Sequence, residues 1–173
     1  MMRSLLAFAV VTFSVTASAQ MSPDSPMVLA LRDGRASTAL PESQGAHLVA
    51  QRIQRQTGSQ DAVTIEYVRI TRFVSQPRCG RVGYTLYQKS SNTYWAQFGG
   101  QLNICDDGAP PLRACKGSAE LVRADSQCAD GSFPVDTPEI TASIAKAVAG
   151  GSMTGEQFKA RFAPKPKKDG GTK

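Results

Sequence analysis

The residues able to do chemistry in this chain are few, and the cysteines come first. They stand at Cys79, Cys105, Cys115 and Cys128, spaced C-x25-C-x9-C-x12-C. Zinc ligands arrive as close Cys or His pairs. No C-x-x-C occurs here, and the single histidine, His47, is far from all four cysteines. No metal site and no other cofactor is expected. An even set of cysteines in an exported chain reads as two disulfides. They are expected as structural staples, since a redox centre wants a low-pKa thiolate poised beside its partner.

The remaining chemical candidates do not assemble into a catalytic set. A Ser-His-Asp or Cys-His site needs a nucleophile and an orienting group around its histidine. The chain has no G-x-S-x-G, and two disulfides leave no free thiol to serve His47. A glycosidase needs two carboxylates about 5–9.5 Å apart across a cleft. Asp106 and Asp107, with Glu66, Glu120 or Asp125, are available, but nothing in the spacing selects a pair. The alternating ligands and closing Glu of a calcium loop are missing. Cys105-Asp106-Asp107-Gly108-Ala109-Pro110-Pro111 reads instead as turn chemistry. No catalytic residue is assigned, and the chain is expected not to be an enzyme.

The N-terminus supplies an address. Arg3 is followed by an apolar run, Leu5 to Val15, broken only by Thr12 and Ser14, and then by Ala17-Ser18-Ala19. That is the grammar of a secretory signal peptide over residues 1–19, cleaved before Gln20. The run is too short to cross a bilayer core of roughly 30 Å. No membrane span is expected, and the location expected is periplasmic or secreted. The chain carries 20 Lys+Arg against 14 Asp+Glu, a formal charge of +6, and much of the excess lies in the last residues. No nucleic-acid-binding motif accompanies it, so no nucleic acid partner is expected. Residues 164–173, with Lys165, Lys167, Lys168 and Lys173, read as a disordered basic tail. Such a tail is weakly attracted to anionic surfaces at most.

The elements between these ends read as a single α+β domain over 36–163, preceded by a mixed segment at 20–35. Met27 to Leu31 in that segment reads as a short strand. Pro41 opens a helical pattern whose apolar face is Ala46, Val49, Ala50 and Ile53, stopped by Gly58. Three antiparallel strands follow at Val63–Val74, Cys79–Lys89 and Thr93–Cys105, with Ser75-Gln76-Pro77 breaking the chain between the first two. A short strand is expected around Ala119–Val122. Thr137-Pro138-Glu139 starts a helix that Gly150-Gly151 ends. A last helix starts at Thr154, with Gln157 completing a capping box and Phe158 and Phe162 docking on the domain. The fold class is therefore a three- to four-stranded antiparallel meander with an N-terminal helix, C-terminal helices and two disulfides.

The second hairpin has a testable register. Centring a three-residue loop on Asn92 sets Val82 against Leu102, Tyr84 against Gly100, Leu86 against Phe98 and Gln88 against Ala96. It also sets Cys79 against Cys105, within disulfide reach. Cys115 then pairs with Cys128. For the first hairpin, Ile70 opposite Val82 and Val68 opposite Tyr84 fit if a bulge near Tyr67 reconciles the two halves. Gly99-Gly100 reads as a bulge, or as relief of crowding under Tyr84.

This register points the even positions, with Tyr94 and Ile104, inward. It leaves Arg81, Thr85, Tyr87, Lys89, Trp95, Gln97, Gln101 and Asn103 as an outer row. Aromatic residues with Arg and Lys nearby are the usual anchors of protein interfaces. The partner-binding residues expected are Arg81, Tyr87, Lys89, Trp95 and Gln97. The expected function is an exported, non-enzymatic binding or accessory protein of the bacterial envelope or a secretion assembly, engaging an envelope or secreted protein. The alternative is an inhibitor of a secreted lysozyme or protease, with the loop between Cys105 and Cys115 as the inhibitory element. A cell-wall hydrolase ranks third.

Overall fold

A computed structural model describes residues 20–151 and 153–162 of the chain. The expected signal peptide and basic tail lie outside the described residues. The centre is one antiparallel sheet in the order β1-β2-β3-β4, formed by β1 Arg35–Ala39, β2 Val63–Arg72, β3 Cys79–Gln88 and β4 Thr93–Cys105. Helices α1 Pro26–Asp33 and α2 Gln44–Thr57 precede or interrupt it, and α3 Pro138–Gly150 and α4 Gly155–Phe162 follow. Between them β5 Arg113–Ala114 and β6 Leu121–Val122 form a small separate ladder. No helix among the described residues is long and apolar enough to cross a membrane.

Residues 27–31 form part of α1, which corrects the expectation of a strand. Ser25 caps the helix through its side chain, accepting from the Val28 amide, and Pro26 occupies the first turn. Gly34 ends it at φ 98°, a left-handed conformation that favours glycine. Arg69 and Arg72 each donate to the carbonyls of Leu31 and Arg32. They satisfy the open C-terminal end of α1 with cations, where the helix dipole favours them. Val28, Ala30 and Leu31 are fully buried against Val82 and Ile104, so the core begins in this segment. Each large apolar side chain so buried contributes about 1.5–3 kcal/mol.

The same sheet face receives α2, whose Ile53 packs with Val63, Leu86 and Trp95. The opposite face is covered by the C-terminal helices. Ile140 of α3 joins Phe73, Cys79 and Cys105, and Phe158 of α4 stacks on Tyr94. Both caps of these helices follow the sequence. Thr137 accepts from the Ile140 amide. Thr154 and Gln157 each accept from the other's backbone amide, the reciprocal pair of a capping box.

The expected disulfides are both present, Cys79–Cys105 and Cys115–Cys128. Cys79 and Cys105 are direct partners across β3 and β4, as are Val82 and Leu102, and Tyr84 and Gly100. Above Tyr84 the ladder shifts. Leu86 faces Trp95, Tyr87 faces Tyr94 and Gln88 faces Thr93. Thr85 alone spans the interval that β4 fills with Ala96 to Gly99, so β4 carries three more residues than β3 here. The expected pairs Leu86–Phe98 and Gln88–Ala96 are thereby corrected. The first hairpin also has its bulge, at Ile70 rather than Tyr67, so Arg69 faces Val82 and Tyr67 faces Tyr84.

The paired glycines mark the irregular stretch. A Cβ on Gly99 would stand 2.6 Å from the Tyr84 carbonyl oxygen, and one on Gly100 would stand 2.7 Å from the Tyr84 hydroxyl. Both expected roles of Gly99-Gly100 are met at once: one lets the backbone close up, the other clears space for a ring.

Candidate functional site

Side chains alternate along a strand, so an odd surplus in β4 exchanges its two faces beyond the surplus. Trp95 therefore faces the core with Leu86, and only 7% of it is exposed. Tyr94, expected inward, stands beside Tyr87 on the opposite face, with ring centroids 4.5 Å apart. The five expected partner-binding residues are not one surface. Tyr87 and Lys89 lie at the hairpin tip. Trp95 and Gln97 line a small cleft of about 250 Å³ against Arg52 and Gln56 of α2. Arg81 is 8% exposed, buried under α3. The expectation of a continuous outer row is corrected for Arg81 and Trp95 by this burial.

Tyr87 instead belongs to an aromatic cleft between the hairpin tip and α4. Tyr87, Asn92, Tyr94, Phe162, Glu66 and Lys159 line about 450 Å³. Tyr94 is its centre: it stacks on Phe158 at 5.8 Å and meets Phe162 at 6.1 Å. The guanidinium of Arg35 sits 5.9 Å over the Phe162 ring. The Tyr87 hydroxyl and the Asn92 side-chain oxygen are 3.2 Å apart, the hydroxyl donating. Burial, helped by Tyr87 and Glu66 and opposed by Arg35, pushes the Tyr94 phenol up to about 12. Glu66 is buried at the floor, where its Oε1 accepts from Ser37 and Thr64 at 2.7 and 2.9 Å. Two hydroxyls thus solvate a carboxylate that has lost most of its water.

A second, larger cleft of about 760 Å³ lies further down the same face, between the sheet, α3 and α4. Arg81 lines it. Its Nε donates to Gln101 Oε1 at 2.9 Å, and its Nη1 to Asn103 Oδ1 at 2.9 Å and Ser143 Oγ at 3.5 Å. Burial holds the pKa of this guanidinium below its usual value. Gly83, next along the row, is packed over by Ile70 and Met153. A Cβ there would come within 3.1 Å of both Ile70 Cδ1 and Met153 Sδ.

The other candidate acids and bases are engaged locally. Asp106 forms a two-pronged pair with Arg78, at 2.8–3.1 Å, and this interaction holds its carboxyl below the usual range. Asp107 accepts from the Ala109 amide at 2.9 Å. Asp125 pairs with Arg123. His47 is exposed on α2. The loop after Cys105 folds back on the domain: Gly108 accepts from the Met21 amide, and Pro111 is buried.

Comparison with protein-family models, with curated proteins and with solved structures finds no match.

Sequence reasoning missed Glu66, Tyr94 and Phe162 as members of one cleft. The signal for the two aromatics was present in part. Phe158 and Phe162 at helical spacing announced a docking face, but the register assigned Tyr94 to the wrong side of the sheet.

Proposed function

We propose that this chain is an exported, non-enzymatic binding protein of the bacterial envelope or a secretion assembly, which engages a protein partner at the aromatic cleft. The observation that carries the reading is the half-buried ledge of Tyr87, Tyr94 and Phe162 over the buried Glu66. Clustered aromatic rings with fixed neighbours give contact area at low entropic cost and are enriched where proteins anchor partners. Charged rims at Lys159 and Arg35 supply orientation. The N-terminal segment and the two disulfides support an oxidising compartment.

The test is cross-linking of the tagged mature chain in periplasmic extract, comparing wild type with Tyr87→Ala and Lys159→Glu. Both positions sit at the mouth of the cleft, so thermal melts should stay near wild type. A partner recovered with wild type and lost with both variants is expected. Identical recovery with all three proteins would overturn the reading.

A further inference from the structure

The Arg81 cleft has a charge that the protein leaves unanswered. Among the described residues lining it, Arg81 is the one buried charged side chain. Its three partners are neutral oxygens, from Gln101, Asn103 and Ser143. The other charged groups at the cleft are exposed or already engaged. Glu139 accepts from Val74 and Ser75, and Arg161 donates to the carbonyls of Arg69 and Ile70, freed by the β2 bulge. A buried guanidinium is costly unless an anion meets it. Here two amide oxygens fix the guanidinium from one side, while its Nη2 edge has no acceptor among the described residues.

The rest of the cleft is shaped for an apolar body. Ile70, Phe73, Ala147 and Met153 form its walls. About 760 Å³ lies within the range of small-ligand sites, which are mostly apolar with a few placed polar groups. One buried positive charge balances one negative charge. A phosphate dianion would ask for more buried donors than this floor provides.

We infer that this cleft binds a small organic monocarboxylate, its carboxylate on the free edge of Arg81 and its apolar body against Ile70, Phe73 and Met153. The site is separate from the aromatic cleft, and the inference stands or falls independently of the partner reading. The carboxylate has two possible sources, a free acid or the C-terminus of a short apolar peptide, and both present the same chemistry to Arg81.

Calorimetric titration of the mature, oxidised protein tests it. The probes are octanoate, an N-acetylated Leu-Leu dipeptide with a free C-terminus, 1-octanol and inorganic phosphate. Octanoate or the dipeptide is expected to bind and to raise the melting temperature, and the tighter of the two identifies the source. Octanol and phosphate are expected to bind at least tenfold more weakly. Arg81→Gln should lose tenfold or more in carboxylate affinity. Ala147→Phe, which fills the cleft without touching the bonds of Arg81, should lose binding as well, and it decides the matter if Arg81→Gln does not fold. No binding of either carboxylate overturns the assignment. So does equal binding by octanol or phosphate, or carboxylate binding that survives Ala147→Phe.

Discussion

Leu86 and Trp95 face each other across β3 and β4, while their neighbours Tyr87 and Tyr94 face each other on the other side of the sheet. Two adjacent pairs thus serve two different jobs, one in the core under α2 and one in the cleft under α4. Truncating them should have different consequences. Trp95→Ala should cost about 3–5 kcal/mol, as for other large core aromatics. Tyr87→Ala should cost about 1 kcal/mol, the worth of one exposed aromatic pair. Trp95 is the sole tryptophan. Its emission should therefore report a dry environment in the Tyr87→Ala protein and shift to the red only on unfolding. Urea denaturation of both variants checks the contrast.

The Cys79–Cys105 bridge closes a loop with a sequence separation of 26. The chain-entropy treatment gives about 3.5 kcal/mol for such a loop. The double variant Cys79→Ala/Cys105→Ala should lose roughly that much stability. Cys115→Ala/Cys128→Ala should loosen the β5–β6 region while leaving the main sheet protected. Hydrogen exchange on both proteins distinguishes a global loss from a local one.

Tyr94 ionises late, at about 12. An unfolded tyrosine ionises near 10. The folded state therefore holds this proton more tightly. Its contribution to stability is complete below about pH 10 and is lost as pH rises through about 12. Following tyrosinate absorbance against pH should show a late component that vanishes in Tyr94→Phe. A component unchanged by that substitution would assign the late titration elsewhere.

Glu139 behaves in the opposite sense. The Ser75 hydroxyl, followed by the amides of Val74 and Ser75, holds its carboxyl below the usual range. The folded state favours the charged form, so the stabilisation is present above the ordinary carboxylate value of about 4.3 and is lost as pH falls through the folded value. Glu139→Gln should flatten the acid limb of the stability curve and lower the melting temperature at neutral pH by a few degrees. Melts at a series of pH values below neutrality test both.

Gly99 and Gly100 should differ when each is changed to alanine. At Gly99 the added Cβ meets backbone oxygens, Tyr84 at 2.6 Å and Ala96 at 3.1 Å, which cannot step aside. At Gly100 it meets the far end of the Tyr84 ring, which can turn. Overpacking of the first kind costs about 1–3 kcal/mol. Gly99→Ala should be the more destabilising in chemical denaturation, and the reverse order would place the close approach at the wrong residue.

The base of the hairpin was legible because Cys79, Val82, Tyr84, Leu102 and Cys105 keep strict alternation. The tip was not, because the only sequence mark of the surplus in β4 is the glycine pair, which names a bulge without giving its size. Trp95 and Phe98, spaced three apart, both contribute to the core beneath α2, a spacing that a regular strand does not bring to one face. Helix α1 was misread although Ser25-Pro26 carries the same start signal as Thr137-Pro138, because its eight residues are too few to display a helical period. The edge strand β1 is Arg-Ala-Ser-Thr-Ala, with none of the large β-formers that announce a strand. The Arg81 cleft was hidden for a different reason. It exists because small residues on separate elements leave space together, and no local pattern records that.

The irregular stretch of β4 also sets where this chain tolerates changes in length. Between Ala96 and Gly99 the strand runs free of the one-to-one pairing, so a change in length there leaves the pairs from Gly100 to Cys105 in place. The same change between Gly100 and Cys105 has no such slack. It would carry Cys105 one position away from Cys79 and turn Leu102 and Ile104 out of the core. Variation in length should therefore accumulate above the glycine pair and stop below it, with the disulfide acting as the ruler.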